Sequence, residues 1–203
     1  MQDFGPFVNQ VLEFAAIAHD TLTRKLPAGT KTVLGQPPTL AHLAGTGTYL
    51  LIAGCDRTTW AVGILHDILE DTAVTQEDLA REFDDTDPEI AEDVWALTYQ
   101  PEDGDFATQR EQYYPRINTL RRRQVALADI LYNGRSFLLA LERAPDGFVR
   151  CGTSPKQEIT HWCRVIEIGR RAEADECARR LITGCEEMVR QIKDIVGTAA
   201  SGL

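Results

Sequence analysis

Apolar residues recur at spacings of three and four along nearly the whole chain. Between Phe7 and Thr23 they fall at Val11, Phe14, Ala15, Ala18 and Leu22, one stripe of a helix. The same pattern predicts a second helix from Leu40 to Ala53. Asp56 is an N-cap residue for a third, Thr58 to Glu70, whose run Trp60-Ala-Val-Gly-Ile-Leu65 is apolar on most faces and so predicts a central position. Thr75 followed by Asp78 is a capping-box pattern for a short helix ending at Phe83. Asp87-Pro88 predicts an N-cap and first helical position, opening a helix to Thr98. Pro101 to Phe106 has loop composition. Helices are then expected over Phe106 to Asn118, Leu120 to Glu142, from the Ser154-Pro155 cap to Arg171, and from Ala174 to Val196. No stretch alternates with period two and no long repeat recurs. The expectation is an all-α, compact multi-helix domain spanning residues 1–203, with the helices from about residue 155 packing on the core.

Composition narrows the function classes. Of 203 residues, 43% are hydrophobic and 26% charged, which is ordinary for a globular protein. The net charge of −10 argues against a nucleic-acid or anionic-membrane binder, while leaving room for a small phosphorylated ligand held by a local basic patch. The longest uncharged stretch, Thr32 to Cys55, is broken by Pro37, Pro38, His42 and several glycines and makes a poor membrane span. The start of the chain lacks a basic, apolar leader pattern. Five cysteines without CxxC spacing read as reduced thiols, which fits a cytoplasmic setting.

The densest chemical signal is His66-Asp67, followed by Glu70 and Asp71. His66/Glu70 and Asp67/Asp71 are each four apart, so the four polar groups cover one broad face. Three carboxylates within five residues repel, and a cation among them offsets that cost. His42 stands on the preceding predicted helix. Asp129 lies in the apolar run Val125-Ala-Leu-Ala-Asp-Ile-Leu131, where a carboxylate needs a partner. Together these supply two imidazoles and two acids from three helices. Arg121-Arg122-Arg123 is the one basic run; it reads as a solvated helix face in preference to a patch that steers a polyanion. His19 and His161 read as packed residues without a partner, and Trp60, Trp95 and Trp162 as core.

The ordered set His…His-Asp…Asp resembles the signature of the HD phosphohydrolases, and its surroundings are similar to the hydrolase domain of the Rel/SpoT alarmone enzymes, in particular the free-standing small alarmone hydrolases. Leu65-His-Asp-Ile-Leu-Glu-Asp-Thr72 resembles that family's LHDxxEDT, and Leu127-Ala-Asp-Ile-Leu-Tyr-Asn133 its LADxLxN. Weaker likenesses lie at Ala18-His19 with Arg24-Lys25, at Pro38 to His42, at Thr75 to Phe83, and at Glu158 with Trp162 and Val165. The resemblance implies an HD-domain fold in which His42, His66, Asp67 and Asp129 ligate one divalent metal. Manganese is the ion expected, and iron(II) or zinc is compatible with the same N/O donors. It implies removal of the 3′-pyrophosphate of ppGpp or pppGpp, with Glu70 as general base or water positioner and Asp71 assisting. Arg24, Lys25, Asn133 and Thr98 are its substrate-contact candidates, and the expected partner is a small phosphorylated purine nucleotide.

Some positions depart from the family pattern. Asp20-Thr-Leu-Thr replaces a glycine–glutamine pair, the segment between Lys25 and His42 is longer, Thr39 and Leu43 replace a tyrosine and a proline, and Ala126 and Ile130 stand where basic residues often flank the LAD. These touch base recognition and phosphate grip, not the metal or acid–base set. An adenine alarmone, another nucleotide substrate, or a non-catalytic nucleotide-sensing module are the alternatives that the residues leave open.

Overall fold

A computed structural model describes residues 5–20, 22, 39–99, 105–143 and 155–200. Ten α-helices and two short 3-10 turns make up its regular structure, and no strand occurs among the described residues. The helices are α1 (Gly5–Ala18), α2 (Leu40–Ala53), α3 (Arg57–Leu65), α4 (Ile68–Asp71), α5 (Gln76–Phe83), α6 (Glu89–Leu97), α7 (Phe106–Tyr113), α8 (Leu120–Arg143), α9 (Pro155–Gly169) and α10 (Glu176–Ala200).

The α8 helix is the axis of the molecule, packing against α2, α3, α6, α9 and α10. Its segment from Val125 to Ala128 is buried on every side, because neighbours stand on all faces. The α3 helix is similarly enclosed: Thr58 through Leu65 are all buried, as its apolar run predicts. Close approach of α2 and α3 depends on Gly63, where an added Cβ would run into the Leu50 side chain. Gly54 ends α2 with φ of 87°, a left-handed conformation that lets its N–H reach the Leu50 and Leu51 carbonyls. On the far side, Trp162 of α9 meets Phe137 of α8 edge to face, with ring centroids 5.3 Å apart.

Local sequence signals account for several of these boundaries. The Asp56 side chain accepts from Thr59 N–H at 2.7 Å, the expected cap of α3. Thr75 and Asp78 form the full reciprocal capping box at the start of α5. Other expectations are corrected. The helix expected from Thr58 to Glu70 is two helices, interrupted at His66-Asp67. Asp87 does not cap α6 with its carboxylate, which instead accepts the Thr58 hydroxyl. Trp95 is 41% exposed and no part of the core, whereas Trp60 and Trp162 are buried.

The basic run is neither a solvated face nor a steering patch. Arg122 is buried and donates through Nε to Asp93 at 2.6 Å and through an Nη to Glu92 at 2.7 Å. Arg121 donates to the other Asp93 oxygen at 2.6 Å and to Glu89 at 2.8 Å. The two guanidiniums therefore clamp α8 onto α6. His161 also has a partner: the Tyr114 hydroxyl lies 3.0 Å from its Nδ1, with the rings stacked. Cys55, Cys163, Cys177 and Cys185 carry free thiols. No helix among the described residues is long and apolar enough to cross a membrane.

Candidate metal centre and acid pair

Three elements aim polar side chains at one point. His42 sits in the first turn of α2, and Asp129 points from the middle of α8. Between them the chain leaves α3 at His66, passes through Asp67 and starts again as α4. This interruption lets adjacent residues converge, which an unbroken helix would prevent by turning them about 100° apart. Asp67 adopts φ of −92° and ψ of −1°, and its carbonyl accepts from Glu70 N–H and Asp71 N–H. The acid pair therefore starts at the same corner.

The convergence is close. His42 Nε2 and His66 Nε2 are 3.2 Å apart. Asp67 carboxylate oxygens lie 3.2 Å from His42 Nε2 and 3.1 Å from His66 Nε2. Asp129 Oδ1 lies 3.2 Å and 3.5 Å from the same two nitrogens. Ligand atoms of His42, His66 and Asp129 all fall within 4.8 Å of one another. His66 Nδ1–H donates to the Gly63 carbonyl at 2.8 Å, which leaves Nε2 facing the cluster. Asn133, one turn along α8, donates its amide to Asp129 Oδ1 at 2.7 Å and orients that carboxylate.

The electrostatics of the corner favour a cation. Burial disfavours charge on His66, but Asp67 first and then Asp129 outweigh it and lift the imidazole to about 10. Burial likewise opposes ionisation of both acids, yet the imidazoles win: His66 and His42 hold Asp67 low and Asp129 well below the usual carboxylate range. A point that holds a proton this firmly between two carboxylates is suited to a divalent ion, which displaces that proton on binding. The donor set, two imidazoles and two carboxylates, fits such an ion on its own chemistry.

Glu70 stands at the mouth of this corner. Its Oε1 accepts from Tyr99 N–H at 2.6 Å, a tie from the residue that follows Thr98 at the end of α6. The residue is exposed, yet neighbouring atoms strip water from its carboxyl, and this, with the Asp67 charge adding to it, pushes Glu70 up to about 8. Asp71 is raised by the same two causes in the same order. Thr98 is buried beside Glu70 and donates its hydroxyl to the Val94 carbonyl at 2.8 Å. Arg24 and Lys25 lie outside the described residues. Sequence reasoning missed Gly63 and Tyr99, whose contributions are a backbone carbonyl and a backbone N–H. Neither group leaves a mark in residue type.

No protein-family model matches the sequence, and no curated protein matches it either. Among solved structures the chain is similar to one described as a metazoan orthologue of SpoT that hydrolyses ppGpp and plays a role in starvation responses. The two share 20% sequence identity and superpose with a TM-score of 0.68, over 94% of this chain and 97% of that one. The likeness establishes the fold: a compact all-α architecture shared with that protein.

Proposed function

We propose that this protein is a metal-dependent hydrolase that removes the 3′-pyrophosphate of a (p)ppGpp-type alarmone, giving GDP or GTP and pyrophosphate. The observation that carries the reading is the meeting of His42, His66, Asp67 and Asp129, with a raised carboxyl at Glu70 beside them. The fold shared with a protein described as hydrolysing ppGpp supports the choice of substrate.

In this reading the four residues hold one divalent ion, Mn²⁺ being the ion expected. When bound, such an ion neutralises charge on the attacked phosphoryl group and lowers the pKa of water. The chain's own residues supply the rest. Asn133 and the Gly63 carbonyl hold Asp129 and His66 in ligating orientation. Glu70, fixed by Tyr99 N–H, takes the proton of the attacking water. The water oxygen bonds the phosphorus attached to the 3′-oxygen, and the bond from that phosphorus to the 3′-oxygen breaks. The proton returns from Glu70, directly or by way of Asp71, to the departing 3′-oxygen. A general base works best when its pKa lies near the working pH, and about 8 meets that condition. Arg24, Lys25, Thr98 and Asn133 are assigned to the nucleotide.

Incubation of the purified chain and Mn²⁺ with ppGpp, ppApp and 5′-monophosphates tests the assignment. Release of pyrophosphate from the 3′-substituted guanosine compound supports it. Equal hydrolysis of 5′-monophosphates, or no turnover of any of them, contradicts it.

A further inference from the structure

We propose that Cys55 and Cys177 are an oxidation site, a thiol pair that hydrogen peroxide converts to a disulfide clasping the first turn of α10 onto the corner between α2 and α3.

The two sulfurs meet where α2 ends and where α3 and α10 begin. Gly54 closes α2 with its left-handed φ of 87°, and Cys55 and Asp56 lead straight into α3. An added Cβ at Gly54 would lie 3.8 Å from the Cys177 Sγ and 3.8 Å from an Arg180 Nη, so the first turn of α10 stands directly on this corner. Arg180, one turn beyond Cys177, donates to the Ala53 carbonyl at 3.4 Å. The Cys55 thiol donates a hydrogen bond to the Cys177 sulfur. Helix caps hold both backbones in place. Asp56, next to Cys55, accepts from Thr59 N–H at 2.7 Å. Asp175, two residues before Cys177, accepts from Ala178 N–H at 2.8 Å and from the Gln124 amide at 2.9 Å. Neighbouring sulfurs on fixed backbones need little movement to bond.

Both thiols are partly buried, which leaves them open to a molecule as small as hydrogen peroxide. The other described thiols have different neighbours. Cys185 is buried and donates to the Leu127 carbonyl at 3.3 Å, and Cys163 is exposed, with the Lys193 ammonium 3.9 Å away. Burial first, and then the Cys177 charge and hydrogen bond, lift Cys55 above the ordinary thiol range. Cys55 therefore keeps its proton, and the Cys177 sulfur makes the first attack. It bonds one peroxide oxygen, the O–O bond breaks, and the other oxygen leaves as water, with Cys177 now a sulfenic acid. Loss of the Cys177 charge makes the Cys55 proton easier to release. The Cys55 sulfur then attacks the Cys177 sulfur, the S–O bond breaks, and the hydroxyl departs as water with the Cys55 proton. Two thiols and one peroxide give one disulfide and two waters.

A bridge from residue 55 to residue 177 closes a long loop, and such a cross-link strongly restricts the unfolded chain. It lies at the far end of both helices from the metal corner, because His42 is in the first turn of α2 and His66 follows the last residue of α3. The clasp therefore makes resistance to unfolding respond to oxidant and leaves the His42–His66 arrangement alone.

The test is treatment of the purified chain with hydrogen peroxide, followed by non-reducing peptide mapping and urea denaturation. The expected product is a cross-linked peptide pair holding Cys55 and Cys177, which dithiothreitol separates. The urea midpoint should rise by about 1 M or more on oxidation. Cys55→Ser and Cys177→Ser should each keep one midpoint with and without peroxide. In Cys55→Ser, dimedone should capture a sulfenic acid on Cys177, and its absence there overturns the order of attack. Both thiols still open to alkylation after peroxide overturn the proposal, as does a bridge from either one to Cys151, Cys163 or Cys185. A Cys55–Cys177 bridge that leaves the midpoint unchanged overturns the clasp.

Discussion

The α8 helix carries two buried charge centres, and they are built on opposite principles. At its start, Arg121 and Arg122 meet buried Asp93 and exposed Glu89 and Glu92, so each oxygen of the buried acid has a guanidinium at 2.6 Å. Two turns on, Asp129 joins Asp67 and two imidazoles, and among the described residues no lysine or arginine is paired with either acid. The first centre satisfies itself and is a clamp between helices. The second keeps lone pairs and negative charge pointed at one spot, which leaves the balancing charge to an ion from outside. A buried network closed internally speaks of architecture, and one left open speaks of a ligand.

Exchanging the roles of the two centres should produce opposite phenotypes. Asp129→Ala or His66→Ala is expected to cut turnover at least a thousandfold and to remove bound Mn²⁺, with the urea midpoint close to wild type. Activity, metal analysis and denaturation on the same preparation check this; retained turnover would break the distinction. Arg122→Ala is expected to do the converse. It leaves one oxygen of Asp93, which is 5% exposed, without its guanidinium while Arg121 keeps the other, and should cost about 3 kcal/mol in urea denaturation while the Mn²⁺ content stays at the wild-type level.

A smaller effect follows from His161, which belongs to neither centre. Burial first, and then the Arg110 charge, depress it from 6.5 to about 4. The folded state therefore favours the neutral ring. The stability that comes from this ring is complete above about 6.5 and is lost as pH falls toward 4. Urea midpoints measured from pH 7 down to pH 4 should fall in the wild type and fall less steeply in His161→Phe. Parallel slopes would show that His161 does not titrate in this way.

The sequence conveyed the converging side chains better than the backbone that aims them. Two imidazoles and two acids could be picked out because carboxylates are rarely embedded in runs such as Val125 to Leu131 without a reason. The interruption at His66-Asp67 could not, since Ile64, Leu65, Ile68 and Leu69 continue the helical apolar spacing straight through it. Helix caps with side-chain donors and acceptors, Asp56 and Thr75, were legible because their chemistry is local. Asp87 carries the same local signal but is claimed by Thr58, a partner 29 residues away. The arginine run shows the same limit: charge on a helix reads as solvated until Asp93 is seen beneath it. Trp95 fits an apolar stripe by spacing alone, and only the packed helices show that it stays exposed.

The most direct test of the account is the stoichiometry of Mn²⁺ bound by three proteins: the wild-type chain, Glu70→Gln and Asp129→Ala. Isothermal titration is expected to give one equivalent for the wild type, one for Glu70→Gln despite a hundredfold or greater loss of turnover, and none for Asp129→Ala. Binding that survives in Asp129→Ala, or disappears in Glu70→Gln, would contradict the claim that three helices build one metal centre with Glu70 standing outside it.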